Sequence, residues 1–445
     1  MAMLLAVRAA TATAQTLTIV ASFTGSAGRG PWCQLAQGAN GNLYGTTYSG
    51  GARDDGTVFE VTPSGELTTL ADFHGTNGAN PYAGLLEGAD GNFYGTTASG
   101  GRYNAGTVFS LSPGGGLTTL ASFDGTNGAG PTAKLLLGTD GNFYGTADTV
   151  FQMTPAGLLT TLHRFSHPST SGDGPWGGLV DGPGGALYGA TEEGGDISLN
   201  LGNGYGTIYR LGLDGALKTL MAFQGTNGSF PESALVLATD GDFYGTTVAG
   251  GEFGHGTVFK MTPDGALTTL VSFDQTNGAV PYAGLIQASD GNFYGTTAFG
   301  GDLSLFNGRG LGTVFRVTAD GILTTLARFE ETNGSAPTRA LLQARDGDLY
   351  GAAAGGGPPG AGGVIFKISG LNLVPKFRSI RVSSGLVHLV WEAIPGRSYR
   401  VQYRTDLAGT NWTDLPGDVV ANSSTAVKTD AVAARQRFYR VLLLP

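Results

Sequence analysis

Seven prolines, Pro31, Pro81, Pro131, Pro175, Pro231, Pro281 and Pro337, each stand at the head of a short apolar run. The residues that follow them are Trp32, Tyr82, Thr132, Trp176, Glu232, Tyr282 and Thr338. Gathered at one opening, four aromatics and a carboxylate would suit a sugar, with rings stacking on pyranose faces and Glu232 accepting hydroxyl hydrogen bonds. The competing reading is that these side chains plug a channel or pack between neighbouring elements. A second set lies in longer Gly-rich segments: Arg53, Asp54, Asp55, Arg102, Tyr103, Glu192, Glu193, Asp196, Glu252, His255, Asp302 and Arg309. Paired carboxylates about 5–10 Å apart would serve glycoside hydrolysis. Tyr103 or His255 as base, with Arg102 neutralising a substrate carboxylate, would serve a lyase. Charged residues on exposed loops are also commonly just solvated. The ligand-binding candidates are therefore Trp32, Tyr82, Trp176, Glu232, Tyr282, Arg102, Tyr103 and His255, with no catalytic residue assigned.

The spacing of the remaining chemistry-bearing residues is uninformative. The five histidines, His74, His163, His167, His255 and His388, have no metal-ligand spacing. His163 and His167 are four apart, which aligns side chains on a helix, but their segment reads as strand and turn. No metal site and no cofactor is expected. With 77 glycines in 445 residues, a Gly-x-Gly match has no weight as a nucleotide fingerprint. The single cysteine, Cys33, excludes an intrachain disulfide and reads as a small buried apolar residue.

The elements that would position these groups repeat. A Tyr-Gly step recurs at Tyr44, Tyr94, Tyr144, Tyr188, Tyr244, Tyr294 and Tyr350, at spacings of 50, 50, 44, 56, 50 and 56 residues. A period near 50, built of short apolar runs and Gly-rich turns, is the mark of a β-propeller with one blade per repeat. In residues 81–123 the pattern predicts strands over 83–87, 92–97, 106–112 and 117–123, with Asp90-Gly91 as a tight hairpin turn. The links between strands one and two, and three and four, are short and uniform. Those between strands two and three, and between blades, are longer and varied. Up-and-down order puts both long kinds on one face, where function usually sits. A repeated Thr-Asn-Gly at 76–78, 126–128, 226–228, 276–278 and 332–334 reads as a turn rather than a calcium loop, which would need alternating carboxylates.

The seventh repeat ends at Gly363-Val-Ile-Phe-Lys-Ile368 without a fourth strand, and Leu17–Phe23 matches Leu117–Phe123. The N-terminal strand is thus expected to complete the last blade and remove the open edges. The expected fold is all-β: a seven-bladed β-propeller over 16–370, then a linker and small β-sandwich over 371–445. Residues 1–15 resemble the end of a secretory signal, with Ala12-Thr13-Ala14 as a small-x-small cleavage pattern but no basic n-region. The location expected is extracellular or at the cell surface. No run of 18 apolar residues is present.

The Asp-Gly-Asn-Phe-Tyr-Gly-Thr-Thr box and the following Gly-Gly…Gly-Thr-Val-Phe, complete at 90–109 and 290–315, resemble the bacterial tandem-repeat family called GloVer, found in surface and secreted proteins. The resemblance covers roughly 17–370. Repeat three departs by running from Tyr144 into Asp148-Thr149-Val150-Phe151, and repeat seven has Gly-Ala-Ala-Ala for Gly-Thr-Thr. The family brings no established catalytic residues. Val387–Trp391, Gly396, Tyr399–Tyr403, Trp412–Leu415 and Phe438–Val441 are similar to a fibronectin type III-type sandwich, in which Trp412 would pack in the core or meet carbohydrate.

The net charge is −9, unevenly spread: residues 376–445 hold 10 Lys and Arg against 5 Asp and Glu, leaving 15 and 29 for the rest. An acidic repeat region repels phosphate backbones, so nucleic acid is not an expected partner. The function expected is a non-enzymatic binding or scaffold role toward a polysaccharide or surface protein. The alternative is an extracellular polysaccharide lyase or glycoside hydrolase with its site at the channel mouth.

Overall fold

The computed structural model describes residues 15–371 except Pro168, and 377–443 except 384, 394–397, 406–411, 424 and 432–436. The leader-like residues 1–14 and Gly396 lie outside the described residues. The described chain is almost wholly β, relieved only by four short 3-10 turns.

Residues 16–369 form seven antiparallel four-stranded sheets. Sheet 2 is representative, with strands Leu86–Glu87, Phe93–Thr97, Thr107–Leu111 and Leu117–Ser122 paired in sequence order. Its first strand is shorter than the 83–87 expected. The preceding residues crowd the neighbouring sheet instead of joining a ladder: a Cβ on Gly84 would lie 2.5 Å from the Gln34 carbonyl. Sheet 7 joins the two ends of this region, because Thr16–Ser22 pairs with Val364–Ser369 from Thr16 opposite Ser369 to Ser22 opposite Val364. A bulge after the second pair of the outer ladder recurs in the other six sheets, leaving Leu120 unpaired in sheet 2. The N-terminal strand carries it at the matching place, Val20.

The repeated residues are explained by packing. Each Tyr-Gly glycine lies opposite the aromatic of the Thr-Val-Phe box on the third strand, as Gly95 opposite Phe109. That ring crosses the glycine so closely that a Cβ would meet Phe59, Phe109, Phe151, Phe259, Phe315 or Phe366 at 2.4–2.6 Å. In five repeats the preceding tyrosine donates its hydroxyl to the hairpin aspartate, 2.8 Å from Tyr94 to Asp90 and 2.7 Å from Tyr350 to Asp346, whereas Tyr44 donates to Glu60 at 2.6 Å. In Gly-Thr-Thr, the second threonine bonds the third-strand threonine (Thr97 to Thr107, 2.8 Å). The first reaches the next sheet's inner segment at Thr46 (Ala83 carbonyl, 3.1 Å), Thr246 (Ala283 carbonyl, 3.0 Å) and Thr296 (Pro337 carbonyl, 3.1 Å), though not at Thr96. The Asn of Thr-Asn-Gly closes its turn, Asn77 accepting from the His74 amide at 2.9 Å.

Hydrophobic clusters alternate with the sheets. One joins sheet 1 (Ala36–Gln37, Leu43–Thr47, Thr57–Val61 and Leu67–Asp72) to sheet 2 through Tyr44, Phe73, Phe93 and Phe109. Another joins sheets 7 and 1, where Phe23, Tyr350 and Ile365 meet Leu43 and Phe59. The last sheet therefore packs against the first.

The C-terminal segment forms two further sheets. One pairs Phe377–Ser383, Leu386–Glu392 and Thr425–Ala431. The other centres on Ser398–Arg404, flanked by Phe438–Leu443, Thr413–Asp414 and Val419–Val420. They share a core of Leu389, Trp391, Tyr399, Val401, Leu415 and Val441. Trp412 is outside that core, with the guanidinium groups of Arg404 and Arg440 over its ring at 4.6 and 4.5 Å.

Candidate functional site

The residue before each of the seven prolines is left-handed: Gly30, Asn80, Gly130, Gly174, Phe230, Val280 and Ala336, with φ of 50–66°. Backbone bonds hold the turn from both sides. The Val280 amide donates to the His255 carbonyl of the preceding sheet (2.9 Å), and its own carbonyl accepts from Ala298 (3.1 Å). The Asn80 amide donates to Asp55 (2.7 Å), and the Asn80 carbonyl accepts from Ala98 (3.2 Å). Each turn turns the chain inward and fixes the side chain after the proline.

From each proline onward, alternation sends every second residue toward the centre. The first tier is Trp32, Tyr82, Thr132, Trp176, Glu232, Tyr282 and Thr338. The second is Gln34, Gly84, Lys134, Gly178, Ala234, Gly284 and Ala340, and the third is aliphatic, from Ala36 and Leu86 to Leu342. Inner segments of all seven sheets converge on one cavity of about 500 Å³, whose walls include Thr132, Trp176, Glu232 and Tyr282 above, and Leu86, Leu136, Val236 and Ile286 below. The small second-tier residues provide the room.

Aromatic side chains gather at one side of the opening. Trp32 lies 4.7 Å from Tyr48 and 5.3 Å from Tyr82, centroid to centroid. Arg339 reaches over Tyr82 at 4.2 Å, and its Nε donates to the Trp32 carbonyl at 3.4 Å. Trp176, on the other side, is 46 % exposed. Burial pushes the Glu232 carboxyl up to about 7, the Glu192 charge adds to this, and Arg339 opposes it. Burial also raises Glu192, reinforced by Glu193 and offset by a bond from Trp176. Tyr282 is raised by burial and then by the charge of Glu232. Desolvation lowers both Arg339 and Lys134.

Of the predicted site residues, Trp176, Glu232 and Tyr282 line the cavity, and Trp32 and Tyr82 meet through Arg339 at its rim. Arg102, Tyr103 and His255 are not part of its lining. Arg102 and Tyr103 are exposed and stack on each other at 5.2 Å. His255 contributes its backbone carbonyl to the turn at Val280. Elsewhere the long loops satisfy themselves, as in Asp54 with Arg29 (2.8 Å) and Asp302 with Ser304 (2.7 Å). Arg339 and Lys134 were not singled out by the sequence. The signal was present: they stand two and three residues after a proline, where most repeats carry Ala, Gly or Ser. His167 Nδ1 lies 2.6 Å from Asp173 and 3.7 Å from Glu193, and the three ligand atoms are within 4.8 Å of one another. Their spacing in sequence concealed this cluster because a turn and a neighbouring strand bring it together.

Repeated four-stranded sheets packed side by side, with their first strands around a shared cavity, define a β-propeller-like repeat protein. The chain belongs to the Gloeobacter/Verrucomicrobia repeat family, whose model matches residues 6–149 and 147–310. No curated protein matches it. Among solved structures it is similar to a candidate 6-phosphogluconolactonase from Bacteroides fragilis, at 19% identity and a TM-score of 0.46, covering 87% of this chain and 98% of that one. A puromycin hydrolase gives 12% identity and a TM-score of 0.46 over 84% of this chain and 61% of that one. The β-propeller domain of the Trilobed protease from Pyrococcus furiosus gives 10% and 0.43, over 78% and 96%.

Proposed function

We infer that residues 16–370 are a closed seven-bladed β-propeller, that 371–445 add a linker and a small fibronectin type III-like sandwich, and that the whole acts at the cell surface or outside it. Its role is to bind a saccharide chain at the channel mouth without transforming it. The observation that carries this reading is the mouth: Trp32, Tyr48 and Tyr82 in mutual contact, Trp176 half in solvent, and a cavity of about 500 Å³ beneath. Aromatic faces beside a concave opening offer the flat apolar contact that pyranose rings take.

Glu232 favours a second reading. A carboxyl titrating at about 7 is matched to general acid–base work at neutral pH, so a lyase or hydrolase on the same saccharide is the alternative. One experiment separates the two. The protein is titrated with neutral and uronic-acid oligosaccharides while tryptophan fluorescence and the release of unsaturated or shortened products are followed together. Quenching without product, weakened at least tenfold in Trp32→Ala and Trp176→Ala, supports a binding module. Product formation abolished by Glu232→Gln establishes the enzyme instead.

A further inference from the structure

We propose that the second tier of the cavity is an anion site, in which Lys134 receives a carboxylate or comparable acidic group of the ligand, with Arg339 as a separate cation nearer the rim. The inference rests on the saccharide reading above and narrows it to acidic saccharides such as uronic-acid chains.

Lys134 carries the argument. It lines the cavity at a level where Gly84, Gly178, Ala234, Gly284 and Ala340 occupy the equivalent positions. Those five leave space and provide no side-chain acceptor, and the remaining equivalent position, Gln34, brings an uncharged amide whose Nε2 donates to the Leu341 carbonyl. Among the described residues Lys134 has no ion pair and no hydrogen bond, and desolvation is the sole influence on its ammonium. An ammonium above an aliphatic floor without a counter-charge is costly. A ligand anion removes that cost, which a neutral sugar cannot do. Arg339 adds a second cation, held by the Trp32 carbonyl and the Tyr82 face rather than by a carboxylate. The one acid on the cavity wall, Glu232, is about half protonated near pH 7. The cavity therefore carries net positive charge inside a chain of net charge −9, so the site is selective by position rather than by overall attraction.

The test compares tri-galacturonate with its methyl ester, which keeps the rings and loses the charges. Wild-type protein should bind the acid at least tenfold more tightly than the ester, and Lys134→Met should erase that preference while leaving ester affinity within about twofold. Thermal melts with 5 mM citrate or glucuronate at constant ionic strength provide a readout independent of any oligosaccharide. Both anions should raise Tm for wild type and not for Lys134→Met. Equal binding of acid and ester, or the same anion-induced rise in both proteins, overturns the anion site. Anion-dependent stabilisation with neither trisaccharide bound upholds it and removes the saccharide reading alone.

Discussion

Replacing Glu232 with Gln tests the electrostatics of the cavity directly. In the folded protein burial holds this carboxyl near 7, against an ordinary value of 4.5. A raised carboxyl supports the fold fully below its unfolded value, and that support is lost as pH rises through the folded one. The window is therefore pH 4.5 to 7. A displacement of that size, at about 1.4 kcal/mol per pH unit, corresponds to roughly 3 kcal/mol, reduced to about 2 kcal/mol by water within the cavity. Gln has nearly the same shape and never ionises. Glu232→Gln should match wild type at pH 4 and exceed it by about 2 kcal/mol at pH 8, with the change centred between. Urea unfolding at five pH values from 4 to 8 measures this, and carbon NMR of the labelled side chain gives the titration itself. A difference that stays flat with pH, or a carboxyl titrating near 4.5, would refute the claim that burial controls this group.

Other consequences follow from the repeat. Gly95→Ala places a Cβ 2.6 Å from Phe109 and 2.9 Å from Leu85, and should lose about 2 kcal/mol in denaturant melts. Gly114→Ala, which meets nothing within 4 Å, should be nearly silent, and equal losses at the two sites would sink the packing account of Tyr-Gly. Deleting residues 16–23 removes Phe23, fully buried against Phe59 at 4.8 Å, and uncovers the edge of Val364–Ser369. It should lower stability by more than about 5 kcal/mol and promote aggregation in light scattering; a monodisperse variant with an unchanged melt contradicts the role of that strand. Val280→Asn relieves a β-branched residue at φ 57° and should gain about 1 kcal/mol. A loss in the same melt would show that the turn does not require the left-handed region.

What could be read in the sequence was what backbone geometry demands. The Tyr-Gly glycine is legible because the third-strand aromatic excludes any side chain there, so seven copies stand out at regular spacing. The pairing partner of Val364–Ser369 was legible because Leu17–Phe23 repeats the outer-strand pattern down to the bulged residue. The place after each proline likewise singled out Trp176, Glu232 and Tyr282, which line one cavity. Alternation fails where a side chain is long enough to leave its own face. Arg339 stands in a position that is small and buried in other sheets, such as Ala83 and Ala283, yet it reaches Tyr82, two sheets onward through sheet 1. Loop residues fail for the opposite reason. Arg102 and Tyr103 sit on the expected varied segment, but loop conformation decides whether such groups turn inward, and theirs leaves them exposed.

The strained turns explain how one scaffold presents unlike groups at the mouth. Three of the seven left-handed positions are glycine and adopt that conformation freely, whereas Asn80, Phe230, Val280 and Ala336 do so at about 1 kcal/mol or more each. The conformation persists because backbone bonds on both sides hold it, with no help from the mouth side chain. Trp, Tyr, Thr and Glu can therefore occupy equivalent turns without altering the sheets behind them. Stability resides in the buried tyrosine, glycine, threonine and phenylalanine of the repeat, and the recognition proposed above falls one step inward, on residues such as the 46 % exposed Trp176. Truncating Trp176 should then change ligand affinity while moving Tm little, whereas truncating the fully buried Tyr244, stacked on Phe293 at 3.8 Å, should unfold the protein before any binding defect could be read.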